Sequence, residues 1–394
     1  MKIKGRIHQR CGIWSLLLLT ALAVSFAAFP TSPAVGQDTA RQAPTLAPMF
    51  PGKAWEKIQK AEMAGFSSAR LAALRPWLES LDTTAMMVAV GGRSLLEYGD
   101  LTHLSYLASV RKSVLAILYG KYVENGTIQL DKTLREIGLT DVGGLLPQEQ
   151  EATIQNLITA RSGVYHPASN AGDSTASAPP RGSQRPGAYF LYNNWDFNAA
   201  GAAFEKLTGR DIYDAVASDL AAPIGMEDFD RTRQRKSGDA TRSEHMAYHM
   251  YFSTRDMARI GLLAARRGQW NGKQVASSAW VSRITSLFTP FHEMNPPPSR
   301  SLGNGNRWGY GYMWWVWDAP NSPGPFEGAF TGIGAGGQYI TILPKLDMVI
   351  AHKTDTSQVS AHGDGKRRRS VTGTEYDSIL RMLIAAQCPG GRCQ

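Results

Sequence analysis

An α+β fold is predicted, with an antiparallel sheet built from both chain ends, flanked by helices, and a mainly helical region inserted between them. Three observations predict it. Apolar runs with strand character lie near one end, over residues 84–98, and near the other, over 338–352. Helical periodicity dominates between them. No internal repeat is evident, so a solenoid or propeller is excluded. The sheet-bearing part is placed at about 53–112 and 300–387, and the helical part at about 113–299.

The chain opens with Lys2, Lys4, Arg6 and Arg10 and no acid, then an apolar stretch from Gly12 to Phe29. A basic region before an apolar one is an export signal, with Ala34-Val35-Gly36 as a small-x-small cleavage site. An uncleaved anchor is the alternative, because the apolar stretch is slightly long. Removing residues 1–36 lowers the formal net charge from +9 to +5. That mild excess does not suit nucleic acid, which needs basic residues gathered on one element with aromatics between them. The one tight cluster, Lys366-Arg367-Arg368-Arg369, reads as a solvated loop. No further stretch is long enough to span a membrane. The expected location is periplasmic or secreted.

Residues 37–52, rich in Pro and Ala, read as a linker, and 53–387 as the folded domain. Trp55 to Leu81 carries a helical pattern. Thr84 to Val90, Gly91-Gly92 and Arg93 to Tyr98 read as strand, tight turn and strand. Val110, Val114, Leu118 and Tyr122 recur every fourth residue before Gly126, so Ser109 to about Asn125 reads as an amphipathic helix. Thr153 to Ile158 is a shorter helical piece. Residues 167–188 have no apolar periodicity, and composition does not separate a lid from an insertion. Ala188 to Asn194 is extended, and a helix follows from Trp195 to Leu207, with Gly209 as its stop. Asp211 to Leu220 and Ser253 to Arg266 read as two more helices. Trp308 to Trp317 is aromatic and Gly-rich. Gln338 to Leu343 and Met348 to His352 read as a hairpin, and Tyr376 to Ala386 as a closing helix. Residues 388–394 form a tail in which Cys388 and Cys393 suit a disulfide in an oxidising compartment.

The candidate chemistry begins at Ser109 and Lys112. Residues three apart share a helix face, so the hydroxyl and the amine point the same way. An amine whose pKa is lowered by burial or nearby positive charge takes a proton from a hydroxyl. The first turn of a helix also offers unpaired N–H groups to an oxyanion. A lone S-x-x-K carries little weight, since about one chance match is expected in a chain of this length. Its bland reading is a helix cap with a solvated lysine. Tyr192 is also an ordinary core aromatic on composition, and Asn194 a helix N-cap. His245 and His249 have a zinc-like spacing, but the glutamate of H-E-x-x-H is out of place, so no metal is expected. There is no G-x-S-x-G elbow and no phosphate loop. His352 and His362 read as structural or solvated.

Taken together, Ser109-Val110-Arg111-Lys112 and Tyr192-Asn193-Asn194 make the chain resemble the serine β-lactamase and penicillin-binding family, in the class C form shared with related esterases. A third motif falls at Gly332-Ile333-Gly334-Ala335-Gly336-Gly337-Gln338, without the usual leading Lys or His. This form, the aromatic segment before it, Ser253 to Arg259 and Trp270 to Lys273 resemble the 6-aminohexanoate-dimer hydrolase branch. The likeness spans roughly 60–387 and implies a β-lactamase/transpeptidase-like fold. It implies Ser109 as nucleophile, Lys112 as proton acceptor or relay, Tyr192 as general acid/base and Asn194 as orienting amide. The N–H groups of Ser109 and Ala335 would form the oxyanion hole. Gly334, Gly336, Gly337, Gln338 and His166 are expected to contact substrate. No cofactor is implied. The expected function is an exported serine hydrolase of carboxylic esters or small linear amides. The alternatives are β-lactamase or D-alanyl peptidase activity, and a non-catalytic envelope binding module.

Overall fold

A computed structural model describes residues 46–296, 307–319, 324–360, 365–388 and 393. The expected export signal at 1–36 and the first part of the expected linker lie outside these residues.

The sequence places two β-hairpins at opposite ends of the chain, and the fold joins them. β1 (Ala85–Val90) returns through Gly91-Gly92 as β2 (Arg93–Gly99). Both turn glycines have positive φ, +61° and +81°, as a two-residue hairpin turn requires. From the other end come β3 (Trp308–Tyr310), β4 (Trp315–Trp317), β5 (Phe330–Gly334), β6 (Gln338–Leu343) and β7 (Met348–Lys353). The seven strands form one antiparallel sheet in the order β2-β1-β7-β6-β5-β4-β3. The two ends meet where β1 pairs with β7, Ala85 opposite Lys353 and Val90 opposite Met348.

Both faces of the sheet are covered, which is why β1, β6 and β7 are buried along their whole length. Met87 and Ala89 of β1 face one core, and Met86, Val88 and Val90 the other. The first core lies under α1 (Val110–Glu124), α2 (Asn194–Thr208) and α3 (Thr254–Ala265). The second lies under α4 (Gly373–Ala385) and the short helices Ser68–Ala72 and Leu74–Ser80. α3 sits close on the sheet because of Gly261, where a Cβ would come within 2.4 Å of Val349 Cγ1. No described helix is long and apolar enough to cross a membrane.

Several expectations need correction. The linker ends sooner than residue 52: Pro51 is buried, Phe50 packs on Trp270 at 5.3 Å, and the fully buried Arg259 donates to the Pro51 and Gly52 carbonyls. The helical pattern from Trp55 to Leu81 is broken into a 3-10 turn, Ala61–Ala64, and the two short helices already named. α1 is not amphipathic. Ser113, Leu115, Ile117 and Tyr119 are buried along with the every-fourth-residue set, so it is a central helix packed all round. The closing helix starts earlier than Tyr376, at Gly373, because Thr372 and Glu375 form a capping box. The basic run is not simply solvated. Arg368 donates to the Asp82 and Thr83 carbonyls, and Arg369 pairs with Glu375 at 2.8 Å. Cys388 and Cys393 are joined by a disulfide.

Candidate active site

Ser109 stands at the N-cap of α1 and remains partly exposed, while the helix behind it is sealed. The residue before it, Ala108, has φ +47°, a left-handed conformation rare for alanine. Such a kink swings the chain out of the incoming strand Ser105–Tyr106 and into the helix within a few residues. The serine is therefore lifted at a sharp corner.

Lys112 lies one helical turn on and is only 1 % exposed. Its Nζ is 2.9 Å from Ser109 Oγ, 2.7 Å from the Tyr192 hydroxyl and 2.8 Å from Asn194 Oδ1. The amine also lies 4.3 Å from the Tyr192 ring centroid and 4.4 Å from that of Phe197. Burial, followed by the Arg111 guanidinium, pushes the amine well below the ordinary lysine range, and Asp173 opposes the shift. A neutral amine has a lone pair to receive the serine proton. Burial acts in the other direction on Tyr192 and raises the phenol above its usual value. The two shifts run in opposite directions, an arrangement suited to an amine that accepts a proton and a phenol that keeps one.

The Tyr192 segment is fixed from three sides. Its ring stacks on Trp315 at 5.5 Å and meets Phe197 at 4.9 Å and Tyr310 at 6.0 Å. Asn193, not Asn194, caps α2 by accepting from the Asp196 amide. That corrects the N-cap reading and leaves the Asn194 side chain free for the amine. Asn194 Nδ2 donates to the Ala171 carbonyl at 2.9 Å, which aims its Oδ1 at Lys112.

Residues 167–188 are tied to this motif. Asp173 Oδ2 accepts from the Asn194 amide at 2.7 Å, and the Ser174 amide donates to the Tyr192 carbonyl at 3.0 Å. The far end is held by buried Arg161, which donates to the Gly187 carbonyl at 3.3 Å and pairs with Glu293 at 2.5 Å. Asp173 and Ala171 were not legible in the sequence, because nothing in the loop's composition distinguishes them.

The end of β5 reaches Ser109 at Gly334. A Cβ there would lie 2.5 Å from the Leu107 carbonyl and 3.1 Å from the Ser109 amide. Ala335 follows in the exposed turn. Gly334→Ala is thus expected to displace the Ser109 amide and lower kcat by about a hundredfold in an ester assay, in line with loss of an oxyanion donor.

Other expected contacts fall elsewhere. Gln338 is buried, and its Nε2 donates to the Thr354 carbonyl at 2.6 Å, so it braces the turn from beneath. Gly337 is also buried, its carbonyl held by His352 Nδ1 at 2.8 Å, while Gly336 stays partly exposed. His166 is not at the site. It is 4 % exposed and its ring nitrogens lie 3.0 Å from the Pro167 carbonyl and 2.8 Å from that of Val142. Beside it Asp141 accepts from Trp195 Nε1, Ser243 Oγ and the Val142 and Glu244 amides. Asp141, Glu244 and His245 bring ligand atoms within 4.8 Å of one another, but those four donors already occupy the aspartate. His249 stands apart, bonded to the Tyr106 hydroxyl at 2.9 Å.

Comparison with known proteins gives the family and the fold. Residues 78–372 match the family model described as Beta-lactamase. Among solved structures, the chain is similar to a Bacillus anthracis protein provisionally described as a 6-aminohexanoate-dimer hydrolase, at 21% identity and TM-score 0.59, over 88% of this chain and 89% of that one. It is similar to a Bacteroides dorei protein provisionally described as a β-lactamase, at 17% identity and TM-score 0.58, over 81% of this chain and 99% of that one. A family VIII carboxylesterase matches at 13% identity and TM-score 0.56, over 82% of this chain and 99% of the other.

Proposed function

The chain belongs to the Beta-lactamase family, and on that premise we propose that it is an exported hydrolase of carboxylic esters or small linear amides, working through an acyl-enzyme on Ser109. The observation that carries the reading is the convergence of Ser109 Oγ, the Tyr192 hydroxyl and Asn194 Oδ1 on one buried amine. Lys112 takes the serine proton as Oγ attacks the substrate carbonyl carbon. The N–H groups of Ser109 and Ala335 hold the oxyanion, each worth about 3–4 kcal/mol. As the tetrahedral species collapses, Tyr192 gives its proton to the leaving oxygen or nitrogen and is recharged from Lys112. Water then attacks the acyl carbonyl carbon and gives a proton to the same two groups, which pass it to the serine oxygen as its bond to the acyl carbon breaks.

The choice of substrate rests on missing charge at the third motif. A penicillin carries a carboxylate, and β5 offers it no cation: its residues are Phe330, Thr331, Gly332, Ile333 and Gly334. Lys353, farther along the sheet, is buried and committed to the Ser105 and Phe252 carbonyls at 2.8 and 2.5 Å. Neutral or amine-bearing acyl compounds fit this edge better. Purified protein is expected to cleave short p-nitrophenyl esters at least about tenfold faster in kcat/KM than a chromogenic cephalosporin, the margin one unmatched ionic contact gives. A cephalosporin that wins by a wide margin would reverse the assignment. Folded protein that turns over neither would favour a binding module.

A further inference from the structure

Arg111 lies inside the S-x-x-K stretch, yet among the described residues its side chain is hydrogen-bonded to Asn198 and not to Ser109, Lys112 or Tyr192. It is 2 % exposed. Its Nη2 donates to Asn198 Oδ1 at 2.9 Å, its guanidinium lies 4.1 Å from the Tyr248 ring centroid, and its Nη1 has no hydrogen-bond partner. Among the described residues it forms no ion pair with a carboxylate. Burying a charge with no opposite charge beside it is destabilising, so a fold that keeps one beside its candidate reactive centre gives up stability for it.

We propose that Arg111 is an electrostatic positioning residue: a permanent buried cation, balanced only by neutral groups, that keeps the Lys112 amine unprotonated and ready to take the Ser109 proton. This rests on the reading of Lys112 as the base. The residue type matters. A buried lysine at 111 would shed its own proton, whereas an arginine side chain stays charged over the whole range in which proteins are folded. Asn198 sits one turn beyond Asn194 on the same face of α2, so one helix positions both amides. The amide of Asn198 is held in turn, its Nδ2 donating to Asn170 Oδ1 at 2.9 Å. An aspartate there would neutralise the guanidinium, and an asparagine does not.

The groups around the pair are few. Tyr192, Asp173 and Arg111 face Lys112, while Tyr248 and Tyr310 lie beyond Tyr192. Tyr106, Tyr213, Tyr248 and His249 surround Arg111. Among the described residues, the acid whose charge reaches the amine is Asp173, and it works against Arg111. The same cation reaches His249, which burial, then Arg111 and Arg235, holds down at about 4.

The test is the acid limb of kcat/KM for a p-nitrophenyl ester. In Arg111→Met, and separately in Asn198→Asp, the limb is expected to move up by about one pH unit. Activity would then fall roughly tenfold on the acid side and return to within about threefold at the alkaline plateau. Asn198→Asp exchanges an amide for a carboxylate of the same size, so it keeps the packing that Arg111→Met disturbs. In the wild type the limb should stay in place between about 0.05 and about 0.5 M salt, because a buried charge is poorly screened. A limb that stays put in either folded variant, a loss of rate equal at every pH, or a wild-type limb that moves with salt would overturn the proposal. Ser109→Ala keeps the two claims apart: loss of fluorophosphonate labelling there leaves the nucleophile standing whatever the limb does.

Discussion

Lys112→Met is expected to lower kcat/KM for an ester by about 10³–10⁴-fold at neutral pH while leaving the fold intact. Methionine matches the length and apolar stem of lysine, and the site is lined by the Tyr192 and Phe197 rings. What goes is the lone pair 2.9 Å from Ser109 Oγ and the donor to Asn194 Oδ1. Stability should move the other way. Because the folded amine sits below the ordinary lysine value of about 10.5, the unfolded chain binds the extra proton, and wild-type stability rises with pH from the lowered folded value up to about 10.5. The variant loses that slope and should melt no lower than the wild type near neutral pH. A large fall in Tm with rate lost in proportion would instead make Lys112 a structural residue.

Ser109→Ala is expected to abolish fluorophosphonate labelling and to reduce ester turnover by a factor on the order of 10⁵–10⁶, leaving a residue of activity from the oxyanion donors. The serine is partly exposed, and the Lys112 amine that bonds its hydroxyl keeps Tyr192 and Asn194 as partners, so its loss is expected to cost little in stability. Labelling and melting temperature therefore separate cleanly: the first should vanish and the second hold. Labelling that persists would move the nucleophile elsewhere. The phenol makes a useful companion, since Tyr192→Phe keeps the stacking on Trp315 and removes only the proton carrier.

Much of this was legible in residue order. The β1–β2 hairpin announced itself through Gly91-Gly92 between apolar runs, and β6 and β7 through their continuous apolar character. β5 was found only as part of a motif. Phe330–Gly334 contains two glycines in five residues, which weakens any strand pattern, and their smallness serves the close approach of Ser113 and Leu107. The every-fourth-residue pattern of α1 misled in its own way. A stripe stands out against polar neighbours only when those neighbours are solvated, and here Arg111, Lys112 and Ser113 are themselves buried.

At the site, Ser109 and Lys112 were readable because a helix fixes what lies three residues away, and Tyr192 and Asn194 because a resemblance supplied their place. The helpers were not. Asp173 matters through one backbone amide 21 residues downstream, and Arg111 through the charge it lacks beside it, both properties of tertiary packing. Gln338 and His166 show the converse. Their neighbourhood in the chain pointed at substrate, and burial turned both inward.

The most direct test of the whole account is to mix wild-type protein with a slow ester, quench in acid within the first turnover, and locate the added mass by peptide mapping. A single acyl group on Ser109, absent after Lys112→Met, is the expected result. An acyl group on any other residue, or turnover with no protein-bound intermediate, would contradict it.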